Sequence, residues 1–256
     1  MLHSLEILRE STVEASDGEI GSIDDIYFDD RSSTVRYLVV DTGSWLSGRK
    51  VLVSPSAFER FDADRRRAVT RLTSDQVQKS PEIDTHRPLS RQMEESLHEH
   101  YGWMPYWAGG AAPALAIPWG PVVPIAEPLP GRDVVEQELE ERRRSQDDPH
   151  LRSGRTVTGY YIHASDGDIG HVADLLLDET ASRIRYVVVD TANWLPGRKV
   201  LVAVKWFHDV NWSKETITAD LTKEQIRSSP EYDPTQIAGN DYETRLWTHY
   251  GRTPYW

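Results

Sequence analysis

Asp17-Gly18-Glu19-Ile20-Gly21 returns 149 residues later as Asp166-Gly167-Asp168-Ile169-Gly170, and reading outward from this pair decides the fold. Arg36-Tyr37-Leu38-Val39-Val40-Asp41-Thr42 answers to Arg185-Tyr186-Val187-Val188-Val189-Asp190-Thr191 at the same offset. Gly48-Arg49-Lys50-Val51-Leu52-Val53 recurs as Gly197-Arg198-Lys199-Val200-Leu201-Val202, and Pro105-Tyr106-Trp107 as Pro254-Tyr255-Trp256. Leu8–Trp107 and Val157–Trp256 align without a gap, with 39 identities in 100 positions. Solenoid and propeller repeats run at roughly 20–50 residues, so this repeat is a domain. The reading is copy one over 1–107, a Pro-rich and charged linker over 108–156, and copy two over 157–256. Two like units in one chain can pack as an intramolecular pseudo-dimer.

Within each copy the pattern is that of strands. Asp17-Gly18 and Asp166-Gly167 read as hairpin dipeptides, where glycine supplies positive φ without strain. Ile20–Phe28 and Ile169–Leu177 follow as strands. Val35–Val40 and Ile184–Val189 are apolar and β-branched with little alternation, the mark of strands buried on both faces. Lys50–Val53 and Lys199–Val202 give another strand, and Ala68–Arg71 and Ile217–Asp220 a shorter one. Short strands at this spacing predict a small antiparallel barrel in each copy. Thr73-Ser74-Asp75-Gln76 and Thr222-Lys223-Glu224-Gln225 fit the capping box and predict a short helix. A second helix is expected near Arg91–His100 and Asp241–Tyr250, ahead of an aromatic tail. A further helix candidate lies in the linker at Asp133–Arg144.

The segment from the Asp-Gly turn through the Gly-Arg-Lys-Val-Leu-Val strand resembles the PRC-barrel family. The residues that carry it are Asp17–Gly21, Asp25, Val35–Val40 and Lys50–Pro55, with Asp166–Gly170, Asp174, Ile184–Val189 and Lys199–Val202 in copy two. Copy two departs at Ala203-Val204, where copy one has Ser54-Pro55. That family includes the cytoplasmic domain of the photosynthetic reaction-centre H subunit and the ribosome-maturation factor RimM. The helices and aromatic tail look like those of stand-alone bacterial members. The resemblance implies two tandem β-barrels and docking onto a larger assembly; the H subunit's transmembrane helix and a RimM-type N-terminal domain are not recognisable here.

Composition narrows the function further. The chain has a net charge of −12, with each of the three segments net negative. An acidic surface repels a phosphate backbone, so no nucleic-acid partner is expected. The runs Arg65-Arg66-Arg67 and Arg142-Arg143-Arg144 read as solvated surface. Cysteine is absent, which removes disulfides and thiolate chemistry. The N-terminus lacks a secretory signal pattern, so a cytoplasmic location is expected. Ala108–Ala126 is uncharged and nearly long enough to span a bilayer, but Pro113, Pro118, Pro121 and Pro124 break it.

No catalytic, cofactor or metal site is expected. Asp24, Asp25, Asp29 and Asp30 could offer oxygens to a hard cation, yet copy two has Ala173 in place of Asp24, and solvated strand edges are the simpler reading. His98-x-His100 is not kept either, since Trp247 replaces His98. The polar set common to both copies is Asp41, Trp45, Arg49 and Asp190, Trp194, Arg198. Its structural reading is an Asp–Arg brace with an indole closing one barrel end. Its functional reading is a recognition surface, with Trp107 and Trp256 as added anchors, because Trp and Arg are frequent binding hot spots. The expected function is a non-enzymatic protein-interaction or adaptor module with protein partners; RNA- or ribosome-associated binding and a ligand or enzyme site between the copies are the alternatives.

Overall fold

The structure is a computed structural model, which describes residues 1–83, 89, 91–108, 151–191, 198–235 and 240–253. The linker candidates at 109–126 and 133–144 lie outside the described residues. The chain divides into a unit of residues 1–78 with 150–256 and a unit of residues 79–149.

The first unit holds both copies. Copy one contributes β1 (Leu2–Ser4), α1 (Leu5–Arg9), β2 (Thr12–Ala15), β3 (Gly18–Asp29), β4 (Val35–Asp41), β5 (Lys50–Val53), β6 (Phe58–Asp62), β7 (Arg67–Thr70) and α2 (Ser74–Gln78). The second unit contains α3 (Arg91–Tyr101) and a single 3-10 turn at Tyr106–Ala108. Copy two repeats the order with β8 (Leu151–Ser153), α4 (Gly154–Val157), β9 (Tyr161–Ala164), β10 (Gly167–Asp178) and β11 (Arg183–Asp190). Then come β12 (Lys199–Ala203), β13 (Phe207–Asn211), β14 (Thr216–Ala219), α5 (Lys223–Arg227) and α6 (Asn240–His249). The strands around β4 and β11 are apolar on both faces because both are covered: Tyr37, Val39 and Val40, like Tyr186, Val188 and Val189, are fully buried.

Each copy is a curled sheet in the order β5-β4-β3-β2-β7-β6, repeated as β12-β11-β10-β9-β14-β13. The predicted antiparallel barrel has one exception in each copy. β2 pairs with β7, and β9 with β14, in parallel. The single 3-10 turns at Pro55–Ala57 and Val204–Trp206 bend the chain between consecutive strands. They do so without forming a hairpin, so β6 keeps the sense of β5 and β7, antiparallel to β6, runs in the sense of β2, as β14 does with β9.

The hairpin turns also shift by one residue. Ala15 pairs with Gly18 and Ala164 with Gly167, so Ser16-Asp17 and Ser165-Asp166 are the turn residues and the glycine opens the strand. Asp17 then accepts from the Ser74 backbone N–H (2.8 Å) and Oγ (2.9 Å), and Asp166 from the Lys223 N–H (2.7 Å). These bonds tie each hairpin to the start of the next helix and hold the Asp17 carboxyl below its ordinary value. The second glycine of the motif is fixed by packing. A Cβ on Gly21 would lie 2.0 Å from the Asp41 carbonyl, and one on Gly170 2.0 Å from that of Asp190.

The expected pseudo-dimer is present in a more intimate form, because the copies exchange their first strands. β1 pairs with β10 (Leu2 opposite Asp178, Ser4 opposite Leu176), and β8 pairs with β3 (Leu151 opposite Asp29, Ser153 opposite Tyr27). The residues read as the end of a linker, 151–156, are therefore a strand and the start of a helix. At the centre Thr34 bridges Arg183, its own counterpart at the offset of 149. Val35 N–H donates to the Ser182 carbonyl and Ile184 N–H to that of Ser33, both at 2.8 Å. Equivalent residues meeting one another is the signature of a pseudo-two-fold axis. Ser33 and Ser182 adopt left-handed φ values of 57° and 47°, which no glycine or asparagine announced.

Candidate functional site

The exchanged strands bring together a buried polar centre. Asp25 and Asp174, each 6 % exposed, cap the helix that arrives from the other copy. Asp174 accepts from Ser4 Oγ and from the Glu6 N–H at 3.2 Å. Asp25 accepts from Ser153 Oγ and from the Arg155 N–H at 2.9 Å. Ser4 and Ser153 cap the same helices by accepting from the Ile7 and Thr156 N–H groups. Burial pushes both carboxyls above the ordinary carboxylate value, against hydrogen bonds that pull the other way. One residue earlier, Arg152 pairs with Asp30 and His3 with Glu179, each at 3.0 Å.

The four-carboxylate run is thus not a solvated edge. Asp24 binds Lys50 (2.7 Å) and Arg155. Burial raises its pKa, but those two hydrogen bonds outweigh it and leave the carboxyl below its ordinary value. Asp29 accepts from Ser32 and the Arg31 N–H and lies 3.6 Å from Arg36. The four side chains point to four different sets of partners, which is an architectural use of carboxylates.

The conserved-spacing polar set divides in the structure. Trp45 sits in the 3-10 turn Gly43–Leu46 and is 42 % exposed, so it does not close the barrel as its structural reading expects. The turn is held by Asp41 accepting from the Gly43 N–H at 2.8 Å, and by the Arg49 N–H donating to Leu46 O at 3.1 Å. Ser47 closes it in a left-handed conformation, φ 57°. Arg49 reaches the C-terminal end of α2 at the Gln78 carbonyl (3.1 Å), and Arg198 reaches the Ser229 carbonyl (2.6 Å). Trp194 and Trp256 lie outside the described residues.

Trp107 belongs to the second unit. There it meets His98 edge-on at 4.8 Å and Tyr106 at 4.8 Å, while Tyr106 donates to the buried Glu94 at 2.7 Å. His98-x-His100 is accordingly an aromatic packing residue and a neighbour of Tyr101. In copy two the helix α6 and Tyr250 after it pack on their own barrel. Trp247 Nε1 donates to Tyr186 O–H (2.9 Å), Tyr186 donates to Glu243 (2.7 Å), and Tyr250 donates to the Leu201 carbonyl (3.2 Å). Burial and the Glu243 hydrogen bond drive the Tyr186 phenol far above its usual pKa.

Two cavities occupy equivalent places at the barrel mouths. In copy one a space of about 240 Å³ opens between β4, β6 and the 177–182 turn of copy two, with Leu38, Phe58, Phe61 and Ala68 among its walls. The inner part of its counterpart in copy two is about 70 Å³, walled by Val187, Phe207, Val210 and Ile217, and adjoins an outer groove of about 730 Å³. Sequence reasoning missed His3, Ser4, Arg152, Ser153 and Glu179. The available signal was Leu2-x-Ser4 against Leu151-x-Ser153, which continues the offset upstream of Leu8.

Two tandem, strand-exchanged β-units around a shared polar seam define a duplicated β-barrel module. The model of the PRC-barrel domain family matches residues 7–77 and again 154–226, and the chain belongs to that family. No curated protein matches the chain. Among the described residues no helix is long and apolar enough to cross a membrane.

Proposed function

We propose that this chain is a non-enzymatic protein-interaction module of the PRC-barrel type, acting in the cytoplasm as an adaptor on a larger assembly. The observation that carries the reading is Trp45, an exposed indole on a turn fixed by its own hydrogen bonds. A large aromatic held in place before binding loses little conformational freedom on docking, and Trp is the residue most enriched at binding hot spots. Arg49, anchored at the base of the same turn, lends the surface a cation. The buried polar groups of the seam serve helix capping and ion pairing, which supports an architectural role for them.

The test is affinity purification of the tagged full chain from its native organism, beside Trp45→Ala. The wild type is expected to enrich a defined set of proteins and the variant to lose them at least tenfold, with an unchanged melting temperature. Equal capture by both proteins would remove Trp45 from the reading. Ribosomal proteins as the main, salt-sensitive eluate would replace it with RNA-associated binding.

A further inference from the structure

We propose that the mouth of barrel one is a binding site for a small aromatic amine. The chain contains its own comparison. At the mouth of barrel two, Trp212 lines the inner cavity and also the outer groove beyond it, so its indole stands between the two. The Arg152 guanidinium lies over that ring at 4.2 Å from its centre. At the offset of 149 the counterpart of Trp212 is Ala63, that of Ile217 is Ala68, and that of Arg152 is His3. In copy two Trp212 parts a small inner cavity from an outer groove of about 730 Å³, whereas copy one carries small residues there and its lining runs from the inner wall to the rim as one space.

The walls of that space state what fits it. Phe58, Phe61, Leu38 and Val35 are apolar and aromatic, and the His3 ring meets Phe61 edge-on at 4.5 Å and 80°. About 240 Å³ lies below the roughly 300–1,000 Å³ of drug-sized pockets, so a bicyclic ring with a short chain fits and a nucleotide does not. The rim carries Glu59, Asp178 and Glu179 against Arg60. Asp178 is held by Arg185 at 3.2 Å and Glu179 faces His3 at 3.0 Å. With Arg60 set against Glu59 and Arg185 against Asp178, Glu179 beside the His3 ring is the carboxylate that a ligand cation would meet, in the place where Arg152 supplies a cation over the ring in copy two.

Calorimetry and ligand-observed NMR on the full chain with tryptamine, indole, indole-3-propionate and N-acetyltryptophanamide test this. Tryptamine is expected to bind in the sub-millimolar range, indole several-fold more weakly, and indole-3-propionate weakest. Ala63→Trp with Ala68→Ile, which writes the copy-two mouth into copy one, is expected to abolish binding without lowering the melting temperature. Should that pair fail to fold, Glu179→Gln is expected to erase the preference for tryptamine over indole. Absence of binding by all four compounds overturns the proposal, as does binding that survives the filled mouth. Tighter binding of the propionate overturns the amine, and tighter binding of the blocked tryptophan points instead to a partner's side chain.

Discussion

At the scale of single residues, Asp25 and Asp174 carry the most consequence. Their folded pKa values are raised, so the native state holds the proton more strongly than the unfolded chain. Stability from these two groups is therefore greatest below the ordinary carboxylate pKa. It falls as pH rises through the window up to the raised value, then levels off. Asp24 and Asp29 have the opposite sign, since their pKa values are lowered; their contribution is present above the ordinary value and is lost on acidification. Urea titrations of the wild type and the Asp25→Asn/Asp174→Asn variant from pH 3.5 to 7 separate the two. The wild type is expected to lose ground to the variant as pH rises just above 4, with a constant difference near neutrality. A difference that grew in favour of the wild type would mean that the hydrogen bonds outweigh burial. Gly21 and Gly170 give a second expectation. An alanine at either would collide with a backbone carbonyl and should cost about 1–3 kcal/mol or more. Gly18→Ala, where nothing lies within 4 Å, should cost less in the same denaturation experiment.

At the scale of elements, legibility followed the strength of the local signal. β4 and β11 were readable because a run of buried β-branched residues has few alternatives. The capping box at Thr222 was readable and is present with both of its bonds. The parallel β2–β7 and β9–β14 ladders were not, because pairing sense depends on how a curled sheet returns upon itself. The left-handed Ser33 and Ser182 were not, because their conformation is imposed by the bridge between the copies. Trp45 misled because an indole beside a buried strand is equally compatible with a wall or a tip. The three-residue strands β1 and β8 were too short to register, yet they complete each other's sheets. Deleting residues 1–4 is expected to strip amide-exchange protection from Leu176–Asp178 in copy two. Loss confined to copy one would contradict the exchange. Ser153→Ala removes both a helix cap and the hydroxyl donor to buried Asp25, and should cost about 1–3 kcal/mol in a thermal or urea melt.

At the scale of the whole molecule, the pseudo-two-fold axis makes each half complementary to itself. The fragment 150–256 carries β8, α4 and all of barrel two, together with the 182–184 segment that meets its own counterpart. It is expected to form a homodimer by placing β8 on the β10 of a second fragment, measured by light scattering after size exclusion. A monomer with a full cooperative melt would show that the exchanged strand is dispensable.

The same exchange sets an order of events at the ribosome. The outer edge of β3 at Tyr27–Asp29 is completed by residues 151–153, so copy one leaves the exit tunnel with a slot that its own remaining sequence does not fill in the finished fold. At roughly 5–20 residues per second, the 46 further residues from 108 to 153 take on the order of a few seconds to appear. Through that interval a nascent sheet stands with an unsatisfied strand edge, the kind of surface that invites pairing with the wrong chain. Newly made copy one is thus a waiting intermediate, and its safe passage rests on how quickly the second half follows or on what shields it meanwhile.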